Sequence, residues 1–417
     1  MTTIAPPNSP PALSHRLANG LTVIGEPSDA FESAAFTLLT PSGCRYDPDD
    51  RLGLASLTCE MMLRGAGSRD SRALVNDLDA MGVEHTETVG ISHATFSASS
   101  LADSLEPALA LYADVVRRPH LPADQLEQGR QVCLQEVYGV EDEPSQKLMN
   151  ELRRQHYPSP WGRASCGDEA GLNAVTQDEI LAFQASHYGP EGSILAVAGR
   201  FDWQELLRVA ERLFGDWAPT PLTRTPPNRS TTGSRHLPFE GSQCHIGIAY
   251  PSVAYRDPEY FQAWSAVGVL SSGMSSRLFT EVREKRGLCY TVYASLQSQV
   301  DRAAVLCYAG TTAERAQETL DVTYAELIRL AEGVTVEELG RLKARIKSAL
   351  ILQQESTASR AGTLARDWRH LGRVRSMVEV GELIDAVTAD TINAYLAKNP
   401  PRDFTMVTLG PEPLRLK

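Results

Sequence analysis

Strand-like and helix-like patterns of apolar residues succeed each other in a fixed order along the first half of the chain. An apolar run begins at Ser33, and the segment after it has apolar residues at helical spacing. Alternating segments and two further helical patterns follow. These patterns predict a strand at 33–40, a helix at 52–64, strands within 83–99, a helix at 103–117 and another helix from Pro122.

The same order recurs in the second half, which indicates an internal duplication. Thr312 precedes Ala-Glu and Thr335-Val-Glu-Glu is a capping box, so both are expected to cap helices. Strands followed by helices, without strict βαβ alternation, are typical of α+β domains with mixed or antiparallel sheets backed by helices. The predicted elements are a strand at 245–250, a helix at 260–271, strands within 290–308, and helices at 313–331 and 335–354.

A proline-rich segment separates the two halves. Residues 219–235 contain four prolines and many small polar residues, a composition typical of an extended linker. We therefore expect an N-terminal domain at 1–218 and a homologous C-terminal domain at 236–417. A coincidental similarity between two unrelated domains is the alternative that the pattern alone leaves open.

Length and charge narrow the classes of protein to which the chain can belong. With 417 residues, of which 42% are apolar and 22% charged, it is long enough for two or more globular domains. A net charge of −12 argues against general attraction to nucleic acid or to anionic membranes. No run approaches the roughly 20 apolar residues of a membrane helix. We expect neither nucleic acid nor a membrane as partner.

The cysteines and the N-terminal residues favour a cytoplasmic location. Seven cysteines are scattered along the chain without a C-x-x-C pair, which is typical of reduced thiols and not of a disulfide framework. The first residues, MTTIAPPNSPP, have neither the basic start nor the apolar stretch of a signal peptide. They do not resemble a mitochondrial presequence either.

One segment of the second half, residues 271–293, has the most specific pattern in the chain, SSGMSSRLFTEVREKRGLCYTVY. It resembles the C-terminal-half signature of the insulinase-like metallopeptidases, the inverted zincins that include the mitochondrial processing peptidase. Residues 53–55 and 61–65 resemble the flanks of that family's zinc helix, and residues 187–190 and 194–200 fit its later N-terminal region. The resemblance covers nearly the whole chain.

The zinc motif of that family is missing where the resemblance places it. An H-x-x-E-H helix binds zinc through two histidines on one face, and its glutamate acts as general base toward the metal-bound water. These three positions fall on Ser56, Cys59 and Glu60, and the family's third ligand matches Glu136, 76 residues after Glu60. Two carboxylates without imidazoles are a poor ligand set for zinc. We expect this chain to bind no metal and no cofactor.

The histidines do not replace the missing ligands. None of the nine forms an i, i+4 pair with another. His85 and His93 lie in the strands predicted after the helix and could approach it. Ordinary strand or loop positions are the simpler interpretation of both.

Arg283 and Tyr290 match the arginine and tyrosine that the family uses to hold substrate. The resemblance implies that both side chains grip the substrate backbone and donate hydrogen bonds to the carbonyl under attack. A guanidinium and a phenol hydroxyl can both stabilise negative charge that develops on oxygen. The alternative is structural: Arg283 is a solvated residue near a helix C-terminus, and Tyr290 is a half-buried strand residue.

Three functional hypotheses follow. The leading one is a non-zinc, substrate-binding subunit of a heterodimeric zinc metallopeptidase that encloses unfolded peptides, with zinc held by a homologous partner that has an intact H-x-x-E-H motif. The second is a catalytically inactive scaffold or peptide-binding protein of the same fold. The third, a hydrolase with Cys59 as nucleophile, is weak because a thiol in an apolar helix without a histidine base is usually inert.

Overall fold

The computed structural model describes residues 12–220 and 233–416. Within them the chain forms two large mixed sheets packed against helices, which confirms the predicted α+β fold. The residues before 12, on which the expectation of no targeting signal rests, and the central part of the predicted linker, 221–232, lie outside the described residues. No helix in the described part combines the length and apolarity needed to cross a membrane.

Six strands of the first half form one sheet, and two short strands form a separate ribbon. The strands are β1 (Leu13–Arg16), β2 (Thr22–Pro27), β3 (Ser33–Thr40), β4 (Gly65–Ala66), β5 (Arg69–Asp70), β6 (Glu84–Val89), β7 (Ala94–Leu101) and β8 (Ile194–Gly199). The order in the sheet is β1-β2-β8-β3-β7-β6, with β4 and β5 in the ribbon. Only β2 and β8 are paired in parallel in this sheet.

The central strand β3 is buried from Ala34 to Thr40 because both faces of the sheet are covered. Phe36 and Leu38 belong to the core on one face, whereas Ala35 and Leu39 belong to the core on the other. The helices of the first half are α1 (Leu54–Met62), α2 (Ser71–Ala80), α3 (Leu105–Arg117), α4 (Leu126–Asp142), α5 (Pro144–His156), α6 (Glu169–Ala174), α7 (Gln177–His187) and α8 (Trp203–Phe214).

The second half repeats this sheet. Its strands are β9 (Ser234–Pro238), β10 (Gln243–Ser252), β11 (Cys289–Ser298), β12 (Ala303–Thr312) and β13 (Thr405–Gly410). Their order, β9-β13-β10-β12-β11, matches β2-β8-β3-β7-β6, and again only the β9 and β13 pair is parallel. The repeated order and direction confirm the predicted pair of homologous domains. Strand β9 begins at Ser234, inside the range predicted for the linker.

The helices of the second half follow the same plan as those of the first. They are α9 (Tyr260–Ser271), α10 (Ala316–Arg329), α11 (Val336–Gln354), α12 (Thr357–Leu371), α13 (Met377–Ala386) and α14 (Ala389–Lys398). The Thr335 capping box is confirmed, with reciprocal hydrogen bonds between Thr335 and Glu338. Thr312 is the N-cap residue of a 3₁₀ turn, Ala313–Arg315, at the predicted position, but its side chain makes no capping hydrogen bond.

The two halves exchange one helix each. Helix α5 of the first half packs on β10 and β13, where Leu148 and Leu152 join a core with Val407 and Leu409. His156 at the end of α5 also lies 2.9 Å from the hydroxyl of Thr405, measured from Nδ1 to Oγ1. One face of the second sheet is therefore covered by a helix from the first half.

Helix α12 makes the reciprocal contact with the first sheet. Its residues Ala361, Leu364 and Ala365 share a core with residues of β2, β3 and β8. Arg360 forms an ion pair with Glu26 of β2 in the same interface. Because each half supplies a cover for the other, the halves are held together by apolar burial and not only by the connecting segment.

The exchange predicts that a chain cut between the halves stays together. A protease site inserted within residues 219–235 should yield two fragments that elute as one species in size-exclusion chromatography, because separation would expose both exchanged faces to water. The double substitution Leu152→Asp and Leu364→Asp, which places a charge in each interface, is expected to release the fragments. Fragments that separate without these substitutions would contradict this account.

Candidate functional site

The N-terminus of helix α1 is fixed by a buried carboxylate. Asp47 accepts hydrogen bonds from the backbone N–H groups of Gly53 and Ala55, each at 2.9 Å. Gly53 has φ of 101°, a left-handed conformation that glycine adopts without strain. The helix that carries the degenerate zinc positions is thus held at its start by the protein itself.

Two of the three zinc-motif positions are engaged in packing. The Ser56 hydroxyl donates a 2.6 Å hydrogen bond to the carbonyl oxygen of Ser165. Cys59 is buried, and this burial, with the nearby carboxylates of Glu87 and Glu60, raises the pKa of its thiol far above the ordinary value. A thiol held in its neutral form is a poor nucleophile. The geometry therefore gives no support to Cys59 as a catalytic group.

The third position, Glu60, is neutralised by an arginine. Arg64, one helical turn later, donates two hydrogen bonds to Glu60 Oε1, from Nη2 at 2.7 Å and from Nε at 3.1 Å. The side chain of Arg64 is 16% exposed and that of Glu60 is 25% exposed. On α4, burial and then the charge of Glu60 raise the pKa of Glu136. The two carboxylates thus lie close enough to interact, and Arg64 is the positive charge at this position.

A cavity of about 480 Å³ opens beside these carboxylates. The helices α4 and α5 and the segment after α5 line it, through Glu136, Gly139, Val140, Gln146, Asn150, Ser165 and Cys166. It lies where a substrate could reach Glu136. Its lining includes no histidine.

The residues around this cavity do not fit zinc. No group of three or more histidine, cysteine, aspartate or glutamate side chains could hold a metal ion within residues 12–220 and 233–416. His85 lies 3.1 Å from Glu87, measured from Nδ1 to Oε1, and burial lowers the pKa of His93. A serine hydroxyl bound to a carbonyl, a buried neutral thiol and an arginine-paired carboxylate do not form a zinc ligand set.

Arg283 and Tyr290 both lie in irregular backbone. Arg283 is in a six-residue π-helix, Phe279–Glu284, that follows α9. Tyr290 is the extra residue of a β-bulge, because Cys289 pairs with Thr311 while Thr291 pairs with Gly310. π-Helical turns and bulges re-aim side chains and are frequent at functional sites.

The two side chains are brought together by stacking. The guanidinium carbon of Arg283 lies 4.8 Å from the ring centroid of Tyr290 and 4.8 Å from that of Phe279. Tyr290 is 82% exposed, although the sequence allowed a half-buried strand position. Among the described residues, no carboxylate forms an ion pair with Arg283. The sequence did not reveal Phe279, although it precedes Arg283 by four residues.

The degenerate zinc positions and the arginine and tyrosine pair belong to different halves. In the described part of the chain, no hydrogen bond or ion pair connects Arg283 or Tyr290 to the α1 and α4 positions. Arg64 was also missed by the sequence analysis, yet its i, i+4 spacing from Glu60 is the signal that could have found it.

Models of two protein-family domains match most of the chain. The model described as insulinase, peptidase family M16, matches residues 23–165, and the model described as peptidase M16 inactive domain matches residues 174–346. The chain belongs to the peptidase M16 family. The first M16 match spans the degenerate zinc positions, and the second spans Arg283 and Tyr290.

Several known proteins are similar to this chain over nearly its full length. An uncharacterized zinc protease of Rickettsia felis is 25% identical over 402 residues, which cover 96% of this chain and 98% of the relative. The solved peptidase M16 inactive domain from Pseudomonas fluorescens has a TM-score of 0.87 at 23% identity, covering 97% and 99% of the two chains. A chain of complex III2 from Candida albicans has a TM-score of 0.83 at 18% identity, covering 95% of each.

The Glu60 and Arg64 pair predicts a measurable contribution to stability. Glu60→Gln should lower the free energy of unfolding by about 1–3 kcal/mol, because it leaves a largely buried guanidinium without its carboxylate. Urea denaturation followed by circular dichroism measures the effect. Glu337→Gln, which breaks the exposed pair with Arg341 at the same i, i+4 spacing, should change stability by under about 1 kcal/mol. Equal effects of the two substitutions would show that burial is unimportant at Glu60.

Burial of Cys59 predicts that its thiol is unreactive in the folded protein. Iodoacetamide at pH 8 should modify Cys166 first, since Cys166 is half-buried whereas the other six cysteines are buried. Cys59 should react only after denaturation. Mass spectrometry of the alkylated peptides gives the order. Rapid native modification of Cys59 would contradict the geometry and revive it as a nucleophile.

Proposed function

We propose that this chain is the substrate-binding subunit of a heterodimeric zinc metallopeptidase. It would supply Arg283 and Tyr290, while a homologous subunit with an intact H-x-x-E-H helix would hold the zinc. The observation that carries the proposal is the exposed pair itself. A tyrosine that is 82% exposed in a bulge, stacked on an arginine that has no carboxylate partner within residues 12–220 and 233–416, contributes little to the stability of this chain.

The pair suits the stabilisation of negative charge on a carbonyl oxygen. Arg283 is held between two aromatic rings, so its N–H groups are oriented before a substrate arrives. Tyr290, whose ring is stacked on this guanidinium, has a hydroxyl that can donate a second hydrogen bond. Donors that are already in place lower the energy of a developing oxyanion, because they need little reorganisation during the reaction.

Zinc chemistry and oxyanion stabilisation need to meet only at the scissile carbonyl, so two chains can divide them. The donors present at Ser56, Cys59 and Glu60 argue that this chain does not hold the metal. The partner would therefore bring the zinc and the general base. In this arrangement the chain is inactive alone and active in the complex.

An extended, unfolded peptide is the substrate that the local structure fits. Strand β11, which begins beside Tyr290, is the last strand of its sheet and has a free edge. Such an edge can pair with the backbone of an extended peptide. A cytoplasmic location belongs to the same proposal and is supported by the seven free cysteines.

The proposal predicts the effect of removing either donor. In a complex with an H-x-x-E-H homologue from the same cell, Arg283→Ala or Tyr290→Phe should lower kcat/KM for peptide cleavage by roughly 100-fold or more. Matched controls are Arg286→Ala, in the turn that follows the same helical segment, and Tyr293→Phe, on the same strand. Both controls should retain activity, since neither residue belongs to the stacked pair.

The same experiment separates the enzyme subunit from an inactive scaffold. A scaffold would form a complex, yet cleavage would be absent or would not respond to Arg283→Ala and Tyr290→Phe. Unchanged kcat/KM in both variants of an active complex would refute the proposal. The inactive-domain relative and the complex III2 relative make the scaffold the competing explanation.

A further inference from the structure

A second and larger cavity, of about 780 Å³, lies in the second half. Its walls come from α9, the end of α11, α12 and the segment that leads into α13, and β1 and β2 of the first half close one side. A cavity of this size is within the range of small-molecule sites.

This cavity is the counterpart of the one beside Glu136. In the first half, the cavity lies between the second part of α4 and the start of α5; in the second half, it lies between the end of α11 and α12. Helices α4 and α11 follow the equivalent strands and helices of the two repeats, as do α5 and α12. The cavity in the second half is the larger of these two.

Aromatic side chains form one wall of the larger cavity. The rings of Tyr255 and Tyr260 lie 4.7 Å apart, measured between centroids, and Phe261 packs edge-on against Trp264 at 6.3 Å. Trp368 of α12 also lines the cavity. This wall can contact the apolar part of a ligand. Binding of such a ligand would change the fluorescence of the tryptophans in the wall.

Two arginines at the cavity have no carboxylate partner among the described residues. Arg375 lies over Tyr255 at 4.8 Å and over Phe261 at 5.2 Å, measured from the guanidinium carbon to each ring centroid. Its Nε and Nη1 are buried and have no hydrogen-bond partner. Arg366 lies 5.9 Å from the Tyr255 ring. Buried guanidinium nitrogens without an acceptor are costly, so an acceptor from outside the chain is expected.

The other charged groups around the cavity are already paired. Arg360 pairs with Glu26, and Arg373 forms an ion pair with Glu379. Asp367 accepts one hydrogen bond from the Tyr255 hydroxyl, at 2.7 Å, and one from the backbone N–H of Arg375, at 3.1 Å. Asp367 therefore fixes the aromatic wall and the Arg375 backbone, and the two unpaired guanidinium groups are left for a ligand.

We propose that this cavity binds a monocarboxylate with an apolar body. The carboxylate would accept hydrogen bonds from Arg375, with Arg366 adding a second positive charge, and the apolar body would lie against Phe261, Trp264 and Trp368. Arginine has five N–H donors and forms strong charge-assisted hydrogen bonds with carboxylates, and Nε and Nη1 of Arg375 lack an acceptor among the described residues. Both a fatty acid and a peptide C-terminus with an apolar last residue have this chemistry.

The site is separate from the arginine and tyrosine pair. Tyr290 stands near the start of β11, and Leu296 of the same strand lines the cavity. Six residues of extended strand span about 20 Å. The inference does not depend on the proposed peptidase function, because the ligand would bind the isolated chain.

Calorimetry and tryptophan fluorescence on the full-length chain test the inference with decanoate as the probe and decanol as its uncharged counterpart. Decanoate should bind and shift the emission of Trp264 and Trp368, and decanol should bind at least roughly 10-fold more weakly. A second pair of probes, acetyl-Leu-Leu-Leu with a free carboxylate and the same peptide as its amide, should differ in the same direction. Whichever carboxylate binds more tightly identifies the source of the ligand.

Substitution of the two arginines locates the binding. Arg375→Gln should weaken decanoate binding about 10- to 100-fold, whereas Arg373→Gln, which removes a charge already paired with Glu379, should leave it unchanged. Should Arg375→Gln fail to fold, Arg366→Gln, at an exposed position on α12, serves as the second variant and should weaken binding as well. Absence of decanoate and peptide binding, equal binding of charged and uncharged probes, or unchanged affinity in the arginine variant that folds would overturn the inference.

Discussion

Each of the two sheets has a second apolar face that only a helix from the other half covers. Leu148 and Leu152 of α5 bury one face of the second sheet, and Leu364 of α12 with its neighbours buries one face of the first. This reciprocal burial fixes how the halves are placed, since neither can move away without exposing an apolar sheet to water. The position of both clefts follows from it, because α5 and α12 also form their walls.

Helix α1 is held in place by interactions within the chain. Asp47 holds its N-terminus, Ser56 is bonded to Ser165, and Arg64 supplies a positive charge beside Glu60. Zinc bound at a structural site contributes to the free energy of folding. Loss of zinc from a site of that kind would therefore unfold the domain. Here the supporting interactions come from the chain itself, and the helix stays in place as a packed element of the core.

Local patterns predicted the elements, whereas long-range packing did not follow from them. The Thr335 capping box and the helix at 260–271 depend on neighbouring residues and were found from the sequence. The exchange of α5 and α12 depends on contacts between residues far apart in the chain, such as His156 and Thr405 at 249 positions and Arg360 and Glu26 at 334, and no local pattern encodes it. The bulge at Tyr290 depends in the same way on the register with β12, so no local pattern indicated that the ring would be so exposed.

Polar groups that find partners within the chain need no other molecule, and those without partners do. Glu60 has Arg64, and Ser56 has a backbone carbonyl, so the former metal position is internally satisfied. The guanidinium nitrogens of Arg375 are buried without an acceptor, and Arg283 is stacked without a carboxylate in the described part of the chain. Such groups cost stability unless a ligand completes them. Both of these arginines lie in the second half, Arg283 in the π-helical segment and Arg375 in the segment that leads into α13.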